Sequence, residues 1–417
     1  MTPERWLILA DDLTGAADSA IAFSRGGMPA SVTWHADGPE ETVLAIDANS
    51  RAHGPEAAAA LHRRLVEGRH EAGVGLFKKI DSTLRGQPAA ELAETIRTLR
   101  ERGNGALAIV APAFPETGRT LRGGSIHVHG EPLEGTPLWA REHSYDNADV
   151  VAVLEGVGLR VRHAPLDIVH AGPEAVERLV RDALAAEVDA VVCDAVVASD
   201  LDIVAQATLR LAEHVFWTGS AGLALALARS LGTSEQAPLE PLEITGGILF
   251  VVGSVAEASR AAAAVLAADD TVRRIVIEPA ALSEGPTGQS WVEAQHAVSE
   301  TLTGGGDVLV EIEPGPNPDL SQGPALARQL ADLLRPMAPA IGALFVTGGE
   351  TALALLDALG ATGIRLIEEV EPGVPLGITR GAFTVPVVTK AGAFGNAETL
   401  RRCLHHFRRL RQTETPS

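Results

Sequence analysis

Cysteines and aromatic residues are scarce in this sequence. The 417 residues include two cysteines, Cys193 and Cys403, and aromatic residues make up 4% of the chain. Two cysteines cannot form a disulfide framework or a zinc site built from several thiolates. Cys193 ends the apolar run at residues 190–193, which is typical of a small core residue. The chain must therefore be stabilised by ordinary hydrophobic cores.

Positive charge and long apolar runs are also lacking. The chain has 34 Lys and Arg against 54 Asp and Glu, a net charge of -20. This balance argues against non-specific nucleic-acid binding, which depends on cations at phosphates, although a local site can still be basic. No apolar run reaches the roughly 18 residues that a membrane-spanning helix needs, and the N-terminus lacks the pattern of a signal peptide. We expect a cytoplasmic protein with no membrane or nucleic-acid partner.

Length and periodicity predict two α/β domains. A chain of 417 residues is too long for one ordinary core. In the first half, strand-like and helix-like segments alternate, which predicts a parallel sheet flanked by helices. The expected strands are 5–10, 30–34, 42–47, 75–79, 106–111, 189–193 and 215–217, and the expected helices are 16–27, 55–68, 88–102, 173–187, 200–212 and 220–231. Residues 112–147 read as a long loop, and such loops are usually functional.

The alternation stops and then begins again. Residues 232–246 contain two prolines and no amphipathic period, so we predict a linker between domains at 1–231 and 247–417. The second domain is also expected to contain a mainly parallel sheet, with the active site in the cleft between the domains. Its expected strands are 247–252, 272–277, 307–311, 342–346, 364–369 and 382–388, and its expected helices are 257–268, 291–303, 321–336, 350–358 and 396–410.

Two adjacent carboxylates stand where the first strand meets the first helix. Asp11 and Asp12 follow the apolar run 6–9 and precede the segment 16–24. This is the carboxyl edge of the sheet, where open α/β sheets bind ligands. One aspartate would suffice to cap the helix, and two neighbouring negative charges repel each other. We therefore expect one of them to have a second role.

Charged residues also follow two other strands of this domain. Residues 77–86 contain Lys79, Asp81, Ser82 and Arg85, and Arg51 lies shortly after the strand at 43–46. If these strands are parallel neighbours of the first, their loops share one crevice with Asp11 and Asp12. Lysine and arginine bind carboxylates or phosphates, and aspartate accepts hydrogen bonds from hydroxyl groups. Such a crevice suits a small, hydroxylated anion, although a solvated turn would also explain the charges.

Three glycine turns follow strands in the second domain. They contain Gly253-Ser254, the run 348–351 (Gly-Gly-Glu-Thr), and Lys390 with Gly392 and Gly395. Glycine lets backbone N–H groups approach an anion, and a helix N-terminus favours negative charge. None of the turns has the Walker spacing. Together they indicate a polyphosphate site, and a nucleotide facing a small acid indicates phosphoryl transfer.

Six motifs in order resemble the four-carbon acid sugar kinase family, and the match covers nearly the whole chain. They are Ala-Asp-Asp-Leu-Thr-Gly-Ala at 10–16, Lys-Lys-Ile-Asp-Ser-Thr-Leu-Arg-Gly at 78–86, Ala-Pro-Ala-Phe-Pro-Glu-Thr-Gly-Arg-Thr at 111–120, Gly-Ser-Ala-Gly-Leu-Ala at 219–224, Gly-Gly-Glu-Thr-Ala at 348–352 and Thr-Lys-Ala-Gly-Ala-Phe-Gly at 389–395. The resemblance implies ATP-dependent phosphorylation of the terminal C4 hydroxyl of threonate, erythronate or a 3-oxo-tetronate. Leu13 resembles the threonate-type members, so D-threonate or a close relative is the first expectation.

The resemblance also implies which residues bind each substrate. ATP, expected as its Mg²⁺ complex, would be held by Ser254, Gly348, Gly349, Glu350, Thr351, Lys390, Gly392 and Gly395. The acid would be held by Asp11, Asp12, Arg51, Lys79, Asp81, Ser82 and Arg85, with either Asp12 or Asp81 as the base. No metal ligands can be named. A homo-oligomer is left open, and the rival readings are a two-lobed binding protein without catalysis and a nucleotide-linked dehydrogenase.

Overall fold

The chain folds into two compact units. In the computed structural model, unit 1 is Met1–Ala237 and unit 2 is Pro238–Ser417. The structure describes residues 2–35, 38–141, 143–232, 244–313 and 322–412. Most of the predicted linker, residues 233–243, therefore lies outside the described residues. No helix in the described ranges is long and apolar enough to cross a membrane.

Unit 1 contains a parallel sheet with helices between its strands. Its strands are β1 Trp6–Ala10, β2 Ala30–Thr33, β3 Val43–Asp47, β4 Gly75–Lys79, β5 Leu107–Ala111, β6 Arg119–Arg122, β7 Ser125–Val128, β8 Glu131–Pro132, β9 Val161–Ala164, β10 Ala190–Cys193 and β11 Val215–Gly219. Its helices are α1 Leu13–Arg25, α2 Pro55–Arg69, α3 Pro88–Glu101, α4 Pro137–Arg141, α5 Val150–Glu155, α6 Leu166–His170, α7 Pro173–Ala185, α8 Ala198–Leu209 and α9 Ala221–Leu231.

The main sheet of unit 1 has the order β2-β3-β1-β4-β11-β5-β10-β9. All of its described pairings are parallel, as predicted. The central strands are buried along their whole length, because helices cover both faces. Against this sheet, Trp6 packs between Phe23 and Trp217 at centroid distances of 5.0 and 5.1 Å.

The predicted long loop at 112–147 has structure of its own, so that expectation was wrong. Strands β6, β7 and β8 form a small antiparallel sheet within it. Asp194, at the carboxyl end of β10, accepts hydrogen bonds from the backbone N–H groups of Gly123 (2.6 Å) and Gly124 (3.0 Å). His163 Nε2 lies 2.9 Å from the same carboxylate. Strands this short, in a segment rich in glycine and proline, show little of the alternation of polar and apolar residues by which a strand is predicted.

Unit 2 contains a mixed sheet that is mainly parallel. Its strands are β12 Gly247–Val252, β13 Val272–Ile277, β14 Asp307–Ile312, β15 Ile341–Thr347, β16 Ala361–Glu371, β17 Val374–Gly381 and β18 Pro386–Lys390. Its helices are α10 Glu257–Ala267, α11 Pro279–Glu284, α12 Gln289–Thr303, α13 Gly323–Leu334, α14 Gly349–Ala358 and α15 Thr399–Gln412.

The strand order in unit 2 is β13-β14-β12-β15-β18-β17-β16. The first five of these strands are parallel, whereas β16 and β17 form an antiparallel hairpin. The expected strand 364–369 lies within β16, and β17 was not predicted. The expected strand at 382–388 begins later, at Pro386. Phe250 stacks on Phe345 at a centroid distance of 5.4 Å and meets Phe407 of α15 edge-on, which joins the sheet to its last helix.

The Asp194 contacts predict a stability change. Asp194→Ala removes the acceptor of two backbone N–H groups, of which that of Gly124 is buried. We expect a loss of about 2 kcal/mol in the free energy of unfolding, measured by urea denaturation, together with faster proteolysis within 112–149. Asp202→Ala removes a partly exposed carboxylate paired with Arg229 and should cost less than about 0.5 kcal/mol. Equal losses in the two variants would contradict the assigned role.

Candidate active site

Three loops meet at the carboxyl edge of the unit 1 sheet. Strand β1 lies between β3 and β4, with Ala10 paired to Asp47 and Leu9 paired to Lys78. The residues that follow each strand therefore lie side by side. The crevice predicted from the sequence forms within unit 1, because parallel neighbours bring their carboxyl ends to one edge.

Arg51 is the centre of this crevice. Its Nε and Nη2 atoms donate to the two carboxylate oxygens of Asp11, at 2.7 and 3.0 Å, and Nη1 donates to Asp12 Oδ2 at 2.9 Å. Asp81 Oδ1 lies 3.9 Å from Nη2. Burial by itself lowers the pKa of Arg51, but the carboxylates of Asp11, Asp12 and Asp81 outweigh it and keep the guanidinium charged. One cation thus holds three aspartates together.

Asp12 caps helix α1 and faces the crevice. Its Oδ1 accepts from Gly15 N at 2.9 Å, and its Oδ2 accepts from Thr14 Oγ1 at 2.7 Å. A Cβ at Gly15 would lie 2.9 Å from Lys79 Nζ, so the glycine makes room for this ammonium beside Asp12. Burial raises the pKa of Asp12, but the positive charges of Arg51 and Lys79 lower it by more. The net pKa therefore lies below its ordinary value. Asp12 is therefore an ionised acceptor.

Asp81 accepts more hydrogen bonds than Asp12. It accepts from Arg85 Nη2 at 2.8 Å and Nε at 3.1 Å, from Thr83 N at 3.1 Å, and from the Thr83 hydroxyl. Burial raises its pKa, but the charge and hydrogen bonds of Arg85 and the charge of Arg51 hold it well below the usual range. Ser82 lies half-buried between Asp81 and Thr83. Asp81 is thus largely occupied in orienting Arg85.

Arg119 was absent from the predicted site residues, and its charge acts on the same crevice. It begins β6, and its Nη1 donates to Thr117 O at 2.6 Å. Burial lowers the pKa of Arg119, Asp81 opposes this shift and Arg85 adds to it. The motif at 111–120 contains Arg119, but only the fold brings its charge close enough to Asp81 and Arg85 to act on them.

Asp47 is a second residue that was missed. It ends β3, is 4% exposed, and accepts from Asn49 N at 2.7 Å. Burial, with the charges of Asp12 and Asp11, raises the pKa of Asp47 to about 8. The site therefore contains a carboxyl group that is protonated at neutral pH, next to carboxylates that are ionised. Sequence alone cannot separate them, because desolvation depends on packing.

A buried ionic network fixes the loop that carries Arg51. Ser50 Oγ donates to Glu91 Oε1 at 2.5 Å, and Lys78 Nζ lies 2.6 Å from Glu91 Oε2. Ser50, Lys78, Glu91 and His62 are all buried. Burial raises the pKa of Glu91, but the ammonium of Lys78 and the ring of His62 hold it well below the usual range. Of the two adjacent lysines, only Lys79 therefore reaches the crevice.

In unit 2, the structure brings three glycine turns together. Strands β12, β15 and β18 are parallel neighbours, with Val252 paired to Thr347 and Thr347 paired to Lys390. A Cβ at Gly253 would lie 2.2 Å from Thr351 Oγ1, and a Cβ at Gly392 would lie 2.3 Å from Ser254 Oγ. The turns are thus packed as closely as glycine allows.

The geometry of these turns suits a polyphosphate. Gly348 has a φ of 97° and stands at the N-cap of α14, whose first residues are Gly349, Glu350 and Thr351. Adding side chains would fill the space between the turns, and the free N–H groups of a helix N-terminus attract anions. Glu350 is exposed at this first turn. Among the described residues, no cluster of His, Cys, Asp or Glu is arranged to hold a metal ion.

Lys390 and Gly395, which were predicted to bind the nucleotide, do not face the space between the turns. Lys390 is 1% exposed, and its ammonium is directed into its own turn. Burial lowers the pKa of Lys390 to about 8, against the opposing electrostatic effects of Cys403 and Glu371. Gly395, with a φ of 77°, packs against Thr399 rather than Ser254.

Comparisons with known proteins agree with this division of sites. Residues 6–227 match the family described as a sugar-binding N-terminal domain, and residues 249–400 match the family described as a nucleotide-binding C-terminal domain. The chain is thus an α/β protein in which a sugar-binding and a nucleotide-binding domain follow one another. It belongs to the four-carbon acid sugar kinase family, which confirms the resemblance inferred from the motifs.

Three relatives cover nearly the whole chain. The chain is 42% identical to a D-threonate kinase of Cupriavidus necator, over 99% of both chains, and 35% identical to a D-threonate kinase of Bordetella bronchiseptica, over 98% of both. It is 31% identical to a D-erythronate kinase of Heliobacterium modesticaldum, over 96% of both. A crystal structure from Salmonella typhimurium LT2 has a TM-score of 0.79 at 19% identity and covers 96% of this chain and 99% of its own, which shows a shared fold.

The buried Asp47 predicts a pH-dependent stability. An unfolded aspartate ionises near its ordinary pKa of 3.8, whereas folded Asp47 stays protonated to about pH 8. The contribution of Asp47 to folding therefore becomes less favourable as the pH rises from 4 to 8. Asp47→Asn keeps an oxygen for Asn49 N and cannot ionise. We expect the melting temperature of this variant to rise relative to that of the wild type between pH 5 and pH 8. For Asp146→Asn, at an exposed position, the difference in melting temperature from the wild type should stay constant over this range. A constant difference for Asp47→Asn would contradict the assignment.

Proposed function

We propose that this chain is an ATP-dependent kinase for the C4 hydroxyl of D-threonate. The observation that carries the proposal is the 42% identity to a D-threonate kinase over 99% of both chains. The unit 1 crevice supports it, because cations and carboxylate acceptors at one sheet edge suit a hydroxylated acid. D-erythronate and a 3-oxo-tetronate are the alternative acceptors, since relatives at 31% and 30% identity carry those names.

Asp12 is the proposed base at the acceptor hydroxyl. Its net pKa is lowered, so it is ionised, and fewer donors occupy it than occupy Asp81. A carboxylate that orients an acceptor hydroxyl and accepts its proton is a recurring part of kinase sites. Lys79, Ser82 and Arg85 would bind the acid, with Asp11 and Asp81 orienting the arginines. The sequence left both Asp12 and Asp81 as candidates for the base, and we propose Asp12.

The nucleotide is proposed to bind at the three glycine turns of unit 2. Ser254, Gly348, Gly349, Thr351 and Gly392 would approach the phosphates through their backbone or hydroxyl groups. Mg²⁺ is expected with ATP, where it neutralises the phosphate charge during transfer. Phosphoryl transfer requires the two sites to face each other, so the interdomain cleft remains part of the proposal. The domain bounds 1–231 and 247–417 and a cytoplasmic location remain predictions, and the oligomeric state is left open.

An ADP-release assay with a panel of four-carbon sugar acids tests the function. With Mg²⁺ and ATP, we expect turnover with D-threonate to exceed that with D-erythronate and 3-oxo-tetronates at equal concentration. ATP binding with turnover of another acid only would replace the proposed substrate. ATP and acid binding with no ADP from any of them would favour the non-catalytic binding protein, and a nicotinamide absorbance change would favour a dehydrogenase.

Substitution of the proposed base separates the roles of the two aspartates. Asp12→Asn retains a helix cap and should lower kcat by about 100-fold or more, with ATP binding unchanged, because Asp12 lies in unit 1 and the glycine turns lie in unit 2. Asp81→Asn should chiefly raise KM for the acid, since Asp81 holds Arg85. Steady-state kinetics and calorimetric ATP titration measure both. Wild-type kcat in Asp12→Asn would remove it from the mechanism.

A further inference from the structure

The ammonium of Lys390 has more hydrogen-bond acceptors than it has protons. Its Nζ lies 2.7 Å from Phe394 O, 2.9 Å from Ala391 O, 3.2 Å from Gly392 O and 3.0 Å from Ser259 Oγ. An ammonium has three N–H donors, and these four acceptors surround it. At 1% exposure the side chain is also shielded from a ligand. No donor of Lys390 is left for a phosphate oxygen.

The acceptors of Lys390 belong to the third glycine turn and to the helix beside it. Three are carbonyl oxygens of residues 391–394, which the ammonium draws towards one point. Carbonyl dipoles that point at one another repel unless a cation lies between them. Lys390 thus acts as a built-in cation, in the way that bound metal ions are held by converging carbonyl groups.

Ser259 extends this arrangement to a second turn. Its Oγ donates to Gly392 O at 2.7 Å and lies 3.2 Å from Thr347 Oγ1, at the end of β15. The backbone provides a parallel link, because Gly348 N donates to Lys390 O at 3.0 Å. The turns after β15 and β18 are therefore joined through Lys390 and Ser259. Ser259 itself is fully buried, on α10.

We propose that Lys390 is a positioning residue that shapes the 391–394 turn for the nucleotide, and that it does not bind phosphate itself. The proposal rests on the proposed nucleotide site and changes the role of one residue in it. Ser259 takes part in the same arrangement, because its hydroxyl bonds both the Lys390 ammonium and the Gly392 carbonyl. Glycine at 392 then keeps the positioned backbone next to Ser254.

Hydrogen exchange in the nucleotide-free protein tests the positioning role. Full-length wild type, Lys390→Met and Ser259→Ala are compared by exchange mass spectrometry of the peptide spanning 391–396. We expect at least about tenfold faster exchange in both variants, the factor that corresponds to one lost hydrogen bond to a charged group. Thr379→Val is the matched control, because Thr379 is fully buried and bonds Val385 before the start of β18. Wild-type exchange in both variants would overturn the proposal.

A double-mutant cycle on ATP affinity tests the coupling. Each of Lys390→Met and Ser259→Ala should raise the Kd for ATP about tenfold, and the double variant should be little weaker than either. Lys390→Arg should not restore affinity, since a planar guanidinium does not fit four converging acceptors. A direct phosphate ligand would instead give wild-type affinity in Ser259→Ala and partial rescue by arginine. If the wild type binds no ATP, the proposed function fails, while the exchange experiment still decides whether Lys390 orders the turn.

Discussion

The unit 1 site depends on one guanidinium among carboxylates. Arg51 binds Asp11 through two hydrogen bonds and Asp12 through a third, and it lies within 3.9 Å of Asp81. Without this cation, three aspartates at one sheet edge would repel each other, and burial would protonate some of them. With it, Asp12 and Asp81 remain ionised at neutral pH. A site that must accept a proton from a hydroxyl group needs that ionised state.

The surrounding residues hold the guanidinium of Arg51 between the three carboxylates. Asp11 O accepts the backbone N–H groups of Ser50 and Arg51, and the Ser50 hydroxyl reaches the buried Glu91. Glu91 is neutralised by Lys78, so the network under the loop carries no uncompensated charge. Buried ion pairs stabilise poorly on their own. Here the pair serves to fix the loop, and thereby the direction of one guanidinium.

In unit 2, the candidate nucleotide site is formed mainly by backbone atoms of the glycine turns. Gly253 and Gly392 lie so close to Thr351 and Ser254 that any Cβ would collide, and Gly348 adopts a φ of 97°. The ammonium of Lys390 lies inside the third of these turns, which surrounds it. The two units thus use cations in different ways. Arg51 organises side chains that face the crevice, whereas Lys390 is enclosed by carbonyl groups and acts on the turn from within.

Particular elements show how far the sequence reaches. Apolar runs and helix periodicity were enough to place β1, β3 and β4 and to predict that their loops share an edge, because parallel pairing follows from alternating strands and helices. The order of six motifs also identified the family. In contrast, the small sheet of β6 to β8 was missed, because strands of two to four residues in a glycine-rich segment have no clear period. In the hairpin, the expected strand 364–369 lies within β16, whereas β17 was missed.

The sequence by itself determined the α/β class, the two halves and the residue types of the candidate site, since these follow from local patterns of polarity and glycine. Only the tertiary structure decided which of these residues can act. Lys78 and Lys79 are neighbours in the chain, yet one is buried against Glu91 and the other lies beside Asp12. Asp47 and Asp12 carry the same group, yet only Asp47 has a pKa of about 8. Burial and the distance to other charges cause these differences, and both arise only when distant segments pack together.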